Sequence, residues 1–122
     1  MISRKIKISF QKEGIHCYPA AKDISGVEFL AHPHRHIFHF YVTIEVNHND
    51  RDIEFILFKR ELEAIYDASI IEVDYKSCEM LAEELLEYVI HNYPRRDVSV
   101  EVYEDNENGA IVEYRKEKDN NV

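Results

Sequence analysis

Residues 31–46 read AHPHRHIFHFYVTIEV, a histidine-rich run that passes directly into an alternating apolar segment. In an extended chain successive side chains point to opposite faces, so His34 and His36 share a face with Phe38 and with every second residue after it. Two imidazoles at the mouth of an apolar face can reach one metal ion, and a third ligand would complete an open, catalytic-type zinc site. The stretch predicts a strand over about residues 35–46 and a metal site where it begins.

The third ligand has one obvious candidate, His16, in the segment 14–17 (GIHC). An alternative register pairs His32 with His34 instead of His34 with His36. A His-x-His pair also occurs at ordinary strand ends, where the imidazoles are half exposed and bind nothing. The rest of the chain therefore has to decide between these interpretations.

Composition and charge limit the classes of protein to which the chain can belong. Its 122 residues are 45% hydrophobic, and we expect one domain, 1–122, with a core at about residues 4–114. The formal net charge of −9 argues against non-specific binding to nucleic acid or to an anionic membrane. No apolar run approaches the length of a membrane span, and no secretory signal is apparent, so the expected location is cytoplasmic.

Hydrophobic periodicity predicts the remaining elements, in the order ββααββ. Alternation predicts a first strand at about 4–12 and two later strands near 98–104 and 110–114, the last after an Asn-Gly turn. Helical spacing predicts two amphipathic helices, the second with Ser77 as its N-cap. The first helix carries Phe55, Phe58, Leu62 and Ile65 on its apolar stripe, and the second carries Cys78, Leu81, Ala82, Leu85 and Val89.

Two segments outside the predicted strands and helices have no sustained period. The stretch 17–33 contains two prolines and a glycine, and we expect a loop that brings His16 close to the later histidines. The segment 115–122 is highly charged and is expected to fray beyond the last strand. The predicted fold class is α+β, with an antiparallel sheet of four strands and two helices on one of its faces.

Several of these features, in this order, resemble motifs of the 6-pyruvoyl tetrahydropterin synthase and 6-carboxytetrahydropterin synthase family. The family has a lone histidine after its first strand, like His16, and a His-Gly-His-x-Tyr motif, which residues 34–38 (HRHIF) resemble. The family's first helix begins with an Asp-Phe-x-x-Leu-Lys segment, which residues 54–59 (EFILFK) resemble. Its second helix begins with a Pro-Thr-x-Glu-x-Leu-Ala segment, which residues 76–82 (KSCEMLA) resemble. A glutamate ends its third strand, as Glu104 does.

The resemblance covers about residues 4–114 and implies both a fold and a function. The fold would be the tunnelling fold, or T-fold, whose subunits associate into a barrel, here as a homo-oligomer that could be a trimer or a hexamer. The function would be that of a zinc-dependent lyase acting on a substrate like dihydroneopterin triphosphate. On this interpretation His16, His34 and His36 bind the zinc and Glu104 binds the pterin ring.

Glu104 also suits that role on physical grounds. It shares strand parity with Val98, Val100 and Val102, so its carboxylate faces the apolar side, where it needs a partner rich in donors, such as an aminopyrimidine edge. The simpler alternative is that the strand ends there and Glu104 is solvated, or that a bulge turns it outward.

The chain departs from the family at the residues that move protons. The family's catalytic cysteine is matched by Leu30, and its Asp-His pair is matched by Asp67 and Ala68. Substitutes are conceivable: Cys17 lies next to His16, and Glu28 would be in place if His32 and His34 were the metal pair.

Two functions of different classes fit this pattern. The first is a zinc-dependent enzyme of pterin or deazapurine metabolism. The second is a catalytically inactive T-fold oligomer that binds or sequesters a pterin-, purine- or nucleotide-like molecule. In a third possibility the oligomer is structural and the histidines are relics.

Overall fold

The computed structural model describes residues 1–117. Within this range one mixed sheet has the strand order β3-β1-β2-β4-β5, in which β3 is parallel to β1 and the other neighbours are antiparallel. Two short 3-10 helices, Pro19–Asp23 and Glu28–Ala31, connect β1 to β2. The main elements are β1 (Arg4–His16), β2 (His34–Val46), α1 (Phe55–Ile65), β3 (Ile70–Asp74), α2 (Cys78–Asn92), β4 (Val98–Glu104) and β5 (Asn108–Tyr114).

The predicted fold class, α+β with two helices, is confirmed, but the predicted ββααββ order and the four-stranded antiparallel sheet are wrong by one element. The missing strand, β3, lies between the helices and pairs in parallel with Glu13–His16 at the edge of the sheet. It has five residues, of which only Ile71 and Val73 are buried. Two buried positions are too few to establish a period of two in the sequence.

One face of the sheet carries the core. Alternate residues of β2 and β4 are fully buried there, and a single apolar cluster joins them to the inner faces of both helices. Each large side chain buried in this way contributes about 1.5–3 kcal/mol relative to exposure. The predicted stripe of α1 is only half correct, because Phe58 and Leu62 are buried whereas Phe55 and Ile65 are exposed.

The helix boundaries follow from local side-chain chemistry. The Ser77 hydroxyl accepts a hydrogen bond from the backbone N–H of Met80 at 3.1 Å, which confirms the predicted N-cap of α2. The Glu54 carboxylate caps α1 in the same way, by accepting from the N–H of Leu57 at 2.8 Å. Neither helix of the described residues is long and apolar enough to span a bilayer.

Strand β1 continues beyond residue 12, where the alternating pattern ends, as far as His16. Gly14 makes this extension possible, because a Cβ at that position would lie 2.8 Å from two ring carbons of Phe38 on the neighbouring strand. The full pairing of β1 with β2 places His16 directly opposite His34. The register of two strands, and not the predicted loop, therefore brings the histidines together.

The C-terminal segment is held at one point. The backbone N–H of Lys116 donates to Asp97 Oδ1 at 2.9 Å, and its ammonium group lies 2.7 Å from a Glu45 carboxylate oxygen. The prediction that the chain frays from residue 115 is therefore wrong at Lys116, and residues 118–122 lie outside the described residues.

Candidate metal centre

Three histidines meet at one end of the β1–β2 pair. His16 is the last residue of β1, and His34 and His36 lie at the start of β2 on the face that carries the core. One nitrogen from each imidazole lies within 4.8 Å of the corresponding nitrogens of the other two. His16 is buried and the other two are half-buried, so the group could hold a metal ion.

The hydrogen bonds of the outer ring nitrogens fix how each imidazole can act. His16 Nδ1 lies 3.5 Å from the Lys76 carbonyl, His34 Nδ1 lies 2.8 Å from the His32 carbonyl, and His36 Nδ1 lies 2.7 Å from Asp105 Oδ2. All three partners are acceptors, so each Nδ1 carries a proton, and in the neutral imidazole each Nε2 keeps its lone pair.

The inner nitrogens are the strongest indication of a metal. Nε2 of His16, His34 and His36 is buried in each case and has no hydrogen-bond partner among residues 1–117. A buried polar atom without a partner is costly, and three in one cluster are exceptional. Three convergent imidazole lone pairs are the donor set of an open zinc site, so the residues fit a transition-metal ion.

Asp105 orients one of these ligands, and sequence reasoning missed it. Its backbone adopts φ of 52°, a left-handed conformation that folds the carboxylate back onto β2. There Oδ1 accepts from the N–H of Ile37 at 2.9 Å while Oδ2 accepts from His36 Nδ1. The hydrogen bond from the Ile37 N–H, and secondly the one from His36, lower the pKa of Asp105, so the carboxylate is charged. The only sequence signal was an aspartate in a turn after a strand.

The electrostatics of His16 favour the form that binds metal. Burial lowers the pKa of His16, and this effect outweighs the nearby Glu104 carboxylate, which raises it. The imidazole is therefore neutral at physiological pH, with its Nε2 lone pair available.

Glu104 faces the same three histidines. It ends β4 opposite Phe38, with its side chain 31% exposed. Its Oε1 lies 3.3 Å from His16 Nε2, and its Oε2 lies 3.5 Å from His36 Nε2. The carboxylate thus lies beside the imidazole cluster and is neither turned outward nor fully solvated.

Cys78 is a second residue that sequence reasoning did not place at the site. It is the first residue of α2, and its Sγ lies 3.9 Å from Glu104 Oε1. Burial, and secondly the Glu104 charge, raise the pKa of the Cys78 thiol to about 12. The thiol is therefore protonated and donates to the carboxylate. The sequence placed Cys78 on the apolar stripe of α2, which accounts for its burial but gives no sign of its contact with Glu104.

A pocket of about 550 Å³ opens beside the histidines. Its volume is within the range of small-molecule sites. The residue matched to the family's cysteine, Leu30, lies in its wall, so that position contributes an apolar surface where the family has a thiol. The lining also includes His16, His34, Tyr75, Cys78 and Glu104.

The other predicted site residues are all within the described part of the chain, and none of them lines this pocket. Glu28 is exposed and accepts from the N–H of Gly26 at 3.1 Å, and Asp67 is exposed between α1 and β3. Cys17 is half-buried beyond the end of β1. His32 is exposed and approaches the cluster only through its carbonyl, outside the three-histidine group.

Comparison with known proteins does not identify the chain: no protein-family model matches the sequence, and no curated protein does. The family resemblance therefore rests on the sequence motifs alone.

Proposed function

We propose that the chain is a zinc-binding protein of the tetrahydropterin synthase type that binds a pterin- or purine-like molecule beside its three histidines. One observation carries this proposal: three buried imidazole Nε2 atoms without partners converge next to a carboxylate at the edge of a pocket.

Zinc is the metal that the donor set favours. Neutral imidazole suits zinc, copper, iron and nickel, and three imidazoles with an open fourth position are the arrangement of catalytic zinc. When bound, the metal would polarise a ligand oxygen. His16, His34 and His36 would hold it, with Asp105 and the His32 and Lys76 carbonyls fixing the ring orientations.

The ligand class follows from Glu104 and from the size of the pocket. A half-buried carboxylate can accept two N–H donors in parallel, and the aminopyrimidine edge of a pterin or guanine presents such a pair. The pocket volume of about 550 Å³ accommodates a bicyclic ring with a side chain.

Binding without turnover is the form of this function that the residues support. Leu30 contributes no thiol, Asp67 lies away from the pocket, and the Cys78 thiol is held in its protonated form. Holding a ligand needs the carboxylate and the metal, whereas forming product needs a base within hydrogen-bond reach of the reacting carbon. We therefore infer that the protein sequesters or senses its ligand.

The T-fold and a homo-oligomeric barrel, as a trimer or a hexamer, are part of the same proposal. Strands β3 and β5 are the two edges of the sheet and are unpaired on their outer sides within the described chain. Exposed edges of this kind pair readily with another subunit.

A zinc-dependent lyase is the second candidate, and Cys78 is the observation that favours it. Cys78 places a thiol in the pocket wall, although on a different element from that of the family's cysteine. The expected substrate would resemble dihydroneopterin triphosphate.

The test is a calorimetric titration of neopterin and of guanosine into zinc-loaded protein without a tag, with a product assay on dihydroneopterin triphosphate. We expect binding without product, and loss of binding in Glu104→Ala. Glu101→Ala is the matched control, because Glu101 lies on the same strand and its carboxylate accepts from the hydroxyl of Tyr103 on the opposite face. Absence of binding by the unmodified protein would contradict the proposal, and rapid turnover would favour the lyase.

A further inference from the structure

The Glu104 carboxylate spans two of the three histidines at a distance typical of metal ligands. Ligand atoms at about 2.0–2.1 Å from a tetrahedral zinc lie about 3.3 Å from one another. Glu104 Oε1 lies 3.3 Å from His16 Nε2, and Oε2 lies 3.5 Å from His36 Nε2.

Between neutral imidazoles and the carboxylate the contact is unfavourable unless a cation separates the atoms. Both Nδ1 atoms face acceptors, so in the neutral rings both Nε2 atoms present lone pairs to carboxylate oxygens that also carry only lone pairs. Among residues 1–117 the one side-chain donor to this carboxylate is the Cys78 thiol at 3.9 Å, a weak interaction. A metal ion between the imidazoles and the carboxylate converts these repulsive contacts into shared coordination.

We propose that Glu104 is a fourth metal ligand in the ligand-free protein, so that this chain closes its metal site with three histidines and one glutamate. This inference rests on the proposed metal site. His34 makes no such close contact with the carboxylate, so coordination by all four groups requires the Glu104 side chain to move toward His34. Closed four-ligand sites are structural, whereas catalytic sites keep a position open.

Closure has a consequence for the pocket. A heterocycle that pairs with Glu104 must take the carboxylate from the metal, so the metal and the organic ligand compete for one side chain. Binding of the heterocycle would then open the fourth coordination position, where an oxygen of the ligand could enter.

The test uses Co²⁺ as a spectroscopic substitute for zinc in untagged protein. We expect the unmodified protein to give the intense visible absorption of a four-coordinate site, unchanged by azide because no position is open. Glu104→Gln should bind Co²⁺ at least about 100-fold more weakly, since loss of a ligand should cost as much as the largest losses caused by removing an outer-shell partner of a ligand, and its spectrum should respond to azide. Glu101→Gln is the control for the loss of one charge on β4.

Two results would overturn the inference: Glu104→Gln with the affinity and spectrum of the unmodified protein, or an immediate azide response in the unmodified protein. The second result needs no variant, so the test holds even if Glu104→Gln folds poorly. Neither result contradicts the three-histidine site itself, which is contradicted separately if His36→Ala binds Co²⁺ normally.

Discussion

Replacement of Asp105 by asparagine separates ligand orientation from the fold. In the native chain Oδ2 accepts from His36 Nδ1 at 2.7 Å, a short charge-assisted hydrogen bond, and Oδ1 accepts from the N–H of Ile37 at 2.9 Å. Asparagine tolerates the left-handed backbone at this position and keeps one oxygen for Ile37. Its amide NH₂ would face the His36 Nδ1–H, donor against donor, so the tautomer with a free Nε2 loses its support.

The expected effect falls on the metal. Loss of a carboxylate that orients a metal-binding histidine costs about 10–100-fold in affinity, which corresponds to about 1.4–2.7 kcal/mol. The side chain of Asp105 is 47% exposed. The free energy of unfolding of the metal-free protein should therefore fall by only about 1 kcal/mol or less.

The assay is competition for Zn²⁺ with a chromophoric chelator at neutral pH, together with urea denaturation of the metal-free protein. Glu107→Gln is the matched control, since Glu107 is an exposed acidic residue of the same turn. An unchanged zinc affinity in Asp105→Asn would refute the orienting role. An equal loss in Glu107→Gln would show that only the local negative charge matters.

Three further predictions concern stability, pH and assembly. Gly14→Ala should lower the free energy of unfolding by about 1–3 kcal/mol, because the new Cβ would lie 2.8 Å from the Phe38 ring; an unchanged urea midpoint would contradict this. Burial lowers the pKa of His16, so below pH 6.5, the ordinary pKa of histidine, His16 of the unfolded chain takes up a proton that the folded chain resists. The metal-free protein should therefore lose stability as the pH falls below 6.5. In urea titrations, His16→Gln should show a smaller pH dependence. Sedimentation should find an oligomer because both sheet edges are open, and a folded monomer at micromolar concentration would refute the proposed assembly.

The parts of the fold that repeat over many residues were predictable from sequence. Strand β2 alternates over its whole length, and its predicted bounds differ from the observed ones by a single residue. The short strand β3 was missed because its five residues depend on non-local pairing with β1 and carry too little periodicity of their own. The end of β1 was missed for a related reason: Gly14 is a poor strand former in isolation, and only the ring of Phe38 explains it.

The candidate site shows the same division. The histidines could be predicted because residue type and strand parity together place His34 and His36 on one face. Asp105 could not, because it reaches His36 only through a left-handed turn. Cys78 was explained by helix packing, and its contact with Glu104 depends on where α2 lies against β4, which no local pattern specifies.

The most direct test of the metal centre is the zinc content of protein purified without a tag, measured for the unmodified chain, His36→Ala and His39→Ala. His39 lies on the opposite face of β2 and is the matched control. We predict about one zinc per chain in the unmodified protein and in His39→Ala, and essentially none in His36→Ala. A zinc-free unmodified protein after zinc loading, or full zinc retention in His36→Ala, would contradict the three-histidine centre.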